Sequence, residues 1–140
     1  RAHFSMWCML AAPLWIGVPL PADPAAMDIF LHKEVISVNQ DPLGLMATRV
    51  SSSDDGHATV WAKKLASPAG AASAAVALFN TATTPQNISV SFQDLGDVII
   101  NPFSVVNLRD LWLSKDLGPW RKSYSQMVPP HGVVLLRLSQ

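Results

Sequence analysis

The chain has 140 residues; Lys plus Arg and Asp plus Glu both number ten, so its formal charge is zero. With no basic run to serve as an electrostatic footprint, neither nucleic acid nor an anionic lipid surface is an expected partner. Hydrophobic residues make up 49% and charged residues only 14%, an apolar balance that predicts faces covered by neighbouring structure.

Residues His3 to Ala12 are apolar on nearly all sides, which predicts a buried helix ended by Pro13. The run Leu14 to Val18 then has the continuous hydrophobicity of a parallel strand covered on both faces. A basic start and apolar body also outline a signal peptide, but Pro13 and Pro19 interrupt it. The run is shorter than the ~20 residues a bilayer requires, so no membrane span is expected. Asp23 before Pro24 predicts a helix start, with Met27, Phe30, Leu31, Val35 and Val38 on one covered side.

At Val35 to Gly44 (VISVNQDPLG) the helical run ends, because Pro42 cannot continue it. We place a boundary there: residues 1–44 form a helix-strand-helix unit, and 45–140 a second domain. After Gly44 the periodicity falls from about 3.6 to 2. Strands are predicted at Ala58 to Lys63, Ala74 to Phe79, Ile88 to Phe92, Ser104 to Leu111 and Val133 to Leu138, and Lys115 to Gln126 adds a hairpin or edge strand. Turn chemistry separates them, as in Ser53-Asp54-Asp55-Gly56, Ser67-Pro68-Ala69-Gly70, Thr84-Pro85-Gln86-Asn87 and Pro129-Pro130-His131-Gly132. The fold class is mainly β, with an antiparallel sandwich as its larger part.

The single cysteine, Cys8, excludes an internal disulfide, and its apolar surroundings mark it as a buried, inert thiol. His3, His32, His57 and His131 lack metal-ligand spacing, and no cofactor or metal is expected. Each of the ten acids has a structural reading: Asp23 as helix cap, Asp41 in the boundary turn, and Asp54, Asp55, Asp94 and Asp97 beside turns. Asp110 and Asp116 flank a loop, and Asp28 and Glu34 lie on polar helix faces. No catalytic or substrate-binding residue is assigned. Trp61, Trp112, Trp120 and Tyr124 have the character of core aromatics, with sugar stacking as the alternative. Asn87-Ile88-Ser89 is an N-glycosylation sequon beside a predicted strand.

The blocks RAHFSMWCMLAAPLWIG and KEVISVNQDPLG, and more loosely VWAKKL, AAVALFN, NLRDLW and PPHGVVLLRL, resemble the C-terminal portion of the melibiase group, glycoside hydrolase family 27. This group comprises α-galactosidases and α-N-acetylgalactosaminidases. The resemblance implies that residues 1–44 are the end of a (β/α)₈ barrel and that the sandwich follows it. It implies a parent enzyme hydrolysing terminal α-galactosides with retention, through two aspartates in a barrel portion upstream of these blocks. It further implies a galactoside substrate, a homodimer as candidate assembly, and a secreted, lysosomal or vacuolar location. After Ile16-Gly17 the family continues with an Asp and, two positions on, an Arg; this chain has Val18, Pro19, Leu20 and Pro21. The competing reading is a non-enzymatic β-sandwich, either sugar-binding or a secreted structural domain.

Overall fold

The computed structural model describes residues 1–69, 71–98 and 101–140. Gly70, expected in a turn, lies outside the described residues, as does the side chain of Asp97. Three helices come first: α1 (Ala2–Met9), α2 (Pro24–Phe30) and α3 (Lys33–Asn39). Eight strands follow: β1 (Thr48–Ser52), β2 (Ala58–Leu65), β3 (Ser73–Asn80), β4 (Gln86–Ser91), β5 (Val106–Asp110), β6 (Lys115–Trp120), β7 (Ser123–Val128) and β8 (Val133–Ser139). They form a six-stranded sheet in the order β1-β2-β3-β8-β5-β6 and a two-stranded sheet of β4 and β7. Every pairing is antiparallel. Short 3₁₀ turns over Phe92–Val98 break at Gly96, where φ is 52°.

Side chains alternate across each strand, so the six-stranded sheet presents two apolar faces. Its inner face carries Val60 and Ala62 of β2, Val76 and Leu78 of β3, Leu108 of β5 and Leu136 and Leu138 of β8. These meet Ile88 and Val90 of β4, Tyr124 and Val128 of β7, and Phe92 and Leu95 in one cluster. The outer face carries Leu65, Ala75, Ala77 and Leu135, which pack with Phe4, Cys8 and Met9 of α1 and Val35 and Val38 of α3 in a second cluster. Alanine at two outward positions of β3, Ala75 and Ala77, lets the helices lie close, since the side chains at a contact set the distance between elements.

Asp23 caps α2 by accepting from the Ala26 amide at 3.1 Å, with Pro24 at the first helical position. The expected continuous helix over Met27 to Val38 is instead two, broken at Leu31 and His32. Phe30 meets Phe4 of α1 at a ring separation of 6.0 Å, whereas Val35 and Val38 face the sheet, and one straight helix cannot serve both directions. A larger correction concerns Leu14 to Val18, which forms no strand. No described strand pairs with this segment, Pro13, Pro19 and Pro21 remove backbone donors, and Trp15 is 83% exposed. Lys115 to Gln126, expected as a hairpin or edge strand, gives an edge strand and no hairpin: β6 lies at the sheet edge on β5, while β7 crosses to pair with β4. Strand β1, unsignalled by any alternation, is held by pairing with β2.

The boundary turn forms as its residues predict. The Gly44 amide donates to the Asp41 carbonyl at 3.0 Å, and the Leu43 amide to Asp41 Oδ1 at 3.1 Å. Gly44 sits at φ 61°, a conformation glycine adopts without the steric cost of a side chain.

The two sheets are also joined through Asn80, which is fully buried at the end of β3. Its Nδ2 donates to the carbonyls of Thr84, Val128 and Pro129 at 2.9, 3.1 and 3.0 Å, and its Oδ1 accepts from the Ala82 amide at 2.9 Å. Removing it takes a donor from the carbonyl of buried Val128. Asn80→Ala is therefore expected to destabilise the chain by about 2–3 kcal/mol, read as a lowered urea midpoint at unchanged slope.

Candidate functional site

Six of the acids are dispersed and engaged in local bonds, Asp23 as the α2 cap among them. Asp41 accepts from the Ala66 amide at 2.9 Å as well as from the turn. Asp55 accepts from Ser53 Oγ and from the His57 amide in the β1–β2 turn. Asp110 is buried and accepts from the Leu113 amide at 3.0 Å. Glu34 on α3 takes both oxygens to Arg109 of β5, at 2.7 Å from Nε and 2.8 Å from Nη2. Asp116 accepts from Arg109 Nη1 at 2.8 Å. Glu34 and Asp116 share one guanidinium rather than facing each other across open space, as a glycosidase pair would.

The histidines are scattered likewise. His3 stacks on Trp7 at 5.8 Å and His32 lies 4.8 Å from the Trp112 ring. His57 Nδ1 is 3.0 Å from Thr81 Oγ1, and His131 occupies a turn at φ 50°. Among the described residues, no group of three or more His, Cys, Asp or Glu side chains is disposed to hold a metal ion.

Of the aromatics, Trp112 and Tyr124 are buried, Trp61 is half-buried, and Trp120 is 39% exposed on edge strand β6. Trp112 Nε1 donates to the buried Ser5 Oγ of α1 at 2.7 Å, and the Arg1 guanidinium lies 5.2 Å from its ring centroid. Trp120 packs edge-on against Tyr124 at 4.8 Å. These contacts suit a core and its margin.

What the structure does assemble is an interface between the helical segment and the sheet's outer face. Around the apolar cluster, polar groups cross from one part to the other. Lys63 of β2 is 3% exposed, and its ammonium donates to the Cys8 carbonyl in the last turn of α1 at 3.2 Å; cations are favoured at helix C-termini. Burial lowers the Lys63 pKa, against smaller opposing effects from Asp41 and Cys8. Arg137 of β8 reaches Ser37 Oγ of α3 at 3.2 Å, and the Ala47 amide donates to the Met9 carbonyl at 2.9 Å. Lys63, Ser5, Asn80 and the Glu34–Arg109 pair were missed by sequence reasoning. Each has a partner 48 to 107 residues away, and no local pattern announces such contacts.

Beyond the interface, apolar side chains remain uncovered. Trp15, Val18, Leu20 and Leu31 are 83%, 48%, 63% and 63% exposed; the first two lie in the segment where the expected strand fails to form, Leu20 just beyond it and Leu31 at the end of α2. Among the described residues, no helix is long and apolar enough to cross a membrane.

These features define a β-sandwich domain bearing a helical segment on one sheet. The chain belongs to the alpha-galactosidase C-terminal beta sandwich domain family, whose model matches residues 55–138. Over 141 aligned residues it is 38% identical to the protein named "Probable alpha-galactosidase" in Dictyostelium discoideum, covering 99% of this chain and 35% of that protein. Among solved structures it is similar to alpha-galactosidase I of Mortierella vinacea, with a TM-score of 0.88 at 27% identity over 99% of this chain and 34% of that one. It is also similar to a family 27 β-L-arabinopyranosidase of Geobacillus stearothermophilus, with a TM-score of 0.80 at 27% identity over 99% and 29% respectively. The chain thus spans about a third of the length of the relatives it matches.

Two expectations follow. Cys8 is fully buried, and desolvation pushes its thiol up to about 12; the native chain is expected to leave a disulfide-exchange reagent unreacted until guanidinium unfolds it. Glu34's carboxyl is held below its ordinary 4.5, first by the hydrogen bond from Arg109. A carboxylate depressed in the folded state contributes fully above its unfolded pKa, and that contribution is lost as pH falls through the folded value. Glu34→Gln should accordingly flatten the decline in stability below about pH 4.5, followed by urea midpoints at stepped pH.

Proposed function

We propose that the chain is the C-terminal part of an α-galactosidase-like glycoside hydrolase. Residues 1–44 belong to the end of its (β/α)₈ barrel and residues 45–140 form the sandwich that buttresses it. The observation that carries this reading is the shared core, in which α1 and α3 lie on the outer face of the six-stranded sheet. One side of the helical segment is thereby fixed while Trp15, Val18 and Leu20 stay open to a further neighbour. Exposed apolar surface of this kind is the mark of a missing partner, and the upstream barrel is the partner we assign.

In that parent the reaction is hydrolysis of a terminal α-galactoside with retention. One aspartate forms the glycosyl-enzyme intermediate, and the other protonates the leaving oxygen and later deprotonates water. Both are assigned to the upstream portion; six acids of this chain, Asp23, Glu34, Asp41, Asp55, Asp110 and Asp116, are committed to caps, turns and the Arg109 pair. The sandwich serves by positioning: it holds α1 and α3 so that the barrel can close on them. Substrate choice is assigned upstream as well. Similarity of this one chain to both an α-galactosidase and a β-L-arabinopyranosidase supports a sandwich that tolerates different sugars in the site it accompanies.

Purified alone, the chain is expected to leave an aryl α-galactoside intact, whereas the continuous polypeptide carrying the barrel upstream cleaves it. Turnover by the isolated chain at enzyme-like rates would refute the assignment. Saturable quenching of its tryptophan fluorescence by galactose would favour the sugar-binding alternative.

A further inference from the structure

The two sides of the sandwich differ in what covers them. The outer face of the six-stranded sheet lies beneath α1 and α3, whereas the outer face of the β4–β7 sheet is open. Strand β4 turns Ile88 and Val90 inward, at 4% and 1% exposure, and turns Asn87 and Ser89 outward. Strand β7 buries Tyr124 and Val128 and exposes Ser123, Ser125 and Met127. Pairing sets Asn87 opposite Met127 and Ser89 opposite Ser125, so Asn87 is surrounded by short hydroxyl side chains and one flexible thioether. None of these outward residues is charged. An open groove of about 250 Å³ runs beside Asn87 and Ser89, edged by Ser51, Ser52 and Ser53.

Asn87 is also the only asparagine of the chain followed two residues later by Ser or Thr. In an extended strand, residues two apart project on the same side. The acceptor amide and the hydroxyl that the transferase requires therefore stand together on the exposed face.

We propose that Asn87 is the acceptor of an N-linked oligosaccharide, attached in a eukaryotic secretory route. The donor is an oligosaccharide carried on a polyprenyl pyrophosphate. Asn87 Nδ2 attacks the anomeric carbon, and the new C–N bond replaces the C–O bond to pyrophosphate. The lipid pyrophosphate leaves with that electron pair, and the amide nitrogen gives up one proton. With Ile88 and Val90 packed beneath, the modification adds bulk only to a face on which Asn87 and Ser89 are exposed among the described residues. A bulky, hydrated group there would keep the β4–β7 face from serving as a contact between copies. The proposal stands apart from the activity assigned above, requiring only secretory passage.

The full chain, secreted from yeast, is expected to lose the mass of a single oligosaccharide on treatment with peptide N-glycosidase, with Asn87 converted to aspartate. Asn87→Gln and Ser89→Ala should each be secreted without that mass, and Ser89→Thr should retain it. Both substituted side chains point to solvent, so a near-ultraviolet dichroism spectrum matching the parent chain accompanies each variant. Secreted chain with no glycosidase-sensitive mass, or a shift that persists in Asn87→Gln, overturns the proposal. α-Galactoside turnover by the longer polypeptide is read separately: glycosylation without turnover removes the enzymatic reading and leaves this site, and turnover without glycosylation does the reverse.

Discussion

The structure depends on a six-stranded sheet that is hydrophobic on both faces. An antiparallel sheet can leave one face in water, but here the central strand β3 buries five consecutive residues, Ala74 to Leu78. Its inward positions are closed by β4 and β7, and its outward positions need a cover that the sandwich does not itself contain. Helices α1 and α3 supply it, burying Phe4, Met9, Val35 and Val38 against Ala75, Ala77 and Leu135. A fully buried aliphatic or aromatic side chain is worth roughly 1.5–3 kcal/mol, so this interface rivals the inner core as a source of stability. Helices α1 and α3 are thus joined to the sandwich by a shared core.

The polar contacts around that interface set its register more than its strength. Lys63 is expensive to bury, and a single hydrogen bond to the Cys8 carbonyl offsets only part of the cost. Its position does, however, select one placement of α1, because the end of the helix must lie over the ammonium. The Arg109 pairs are one-third or more exposed at the guanidinium and are screened by solvent, so their energetic weight is small. Their two-pronged geometry still fixes how α3 lies across β5. Charge and hydrogen bonding orient what the hydrophobic contacts hold.

This division of labour matches the supporting role proposed for the sandwich. The interface constrains the helices from one side and leaves the other side, around Trp15 and Leu20, apolar and exposed. Val18 to Pro21 carry neither an acid nor a base. Hydrophobic contact and backbone geometry, rather than an ion pair, are what this stretch brings to a neighbouring element. The N-linked site assigned to Asn87 lies on the opposite sheet, so the covered and open sides of the sandwich do not compete.

Much of the architecture was legible in the residues themselves because it is local. Strands β2, β3, β4, β5 and β8 follow from two-residue alternation and apolar runs, the α2 start from Asp23 and Pro24, and the boundary turn from Asp41, Pro42 and Gly44. The family resemblance was legible as well, since its blocks are contiguous in sequence. Tertiary structure alone decided the rest. Leu14 to Val18 has a strand's composition, but a strand exists only with a neighbour to complete its hydrogen bonds, and none among the described strands lies beside it. Strands β6 and β7 follow one another in the chain yet belong to different sheets, because burying Tyr124 and Val128 against the inner face outweighs a local hairpin. Asn80, Lys63 and Glu34 acquire their roles from partners remote in sequence. A side chain's own residue type determines what it can bond; only the folded chain determines what comes within reach.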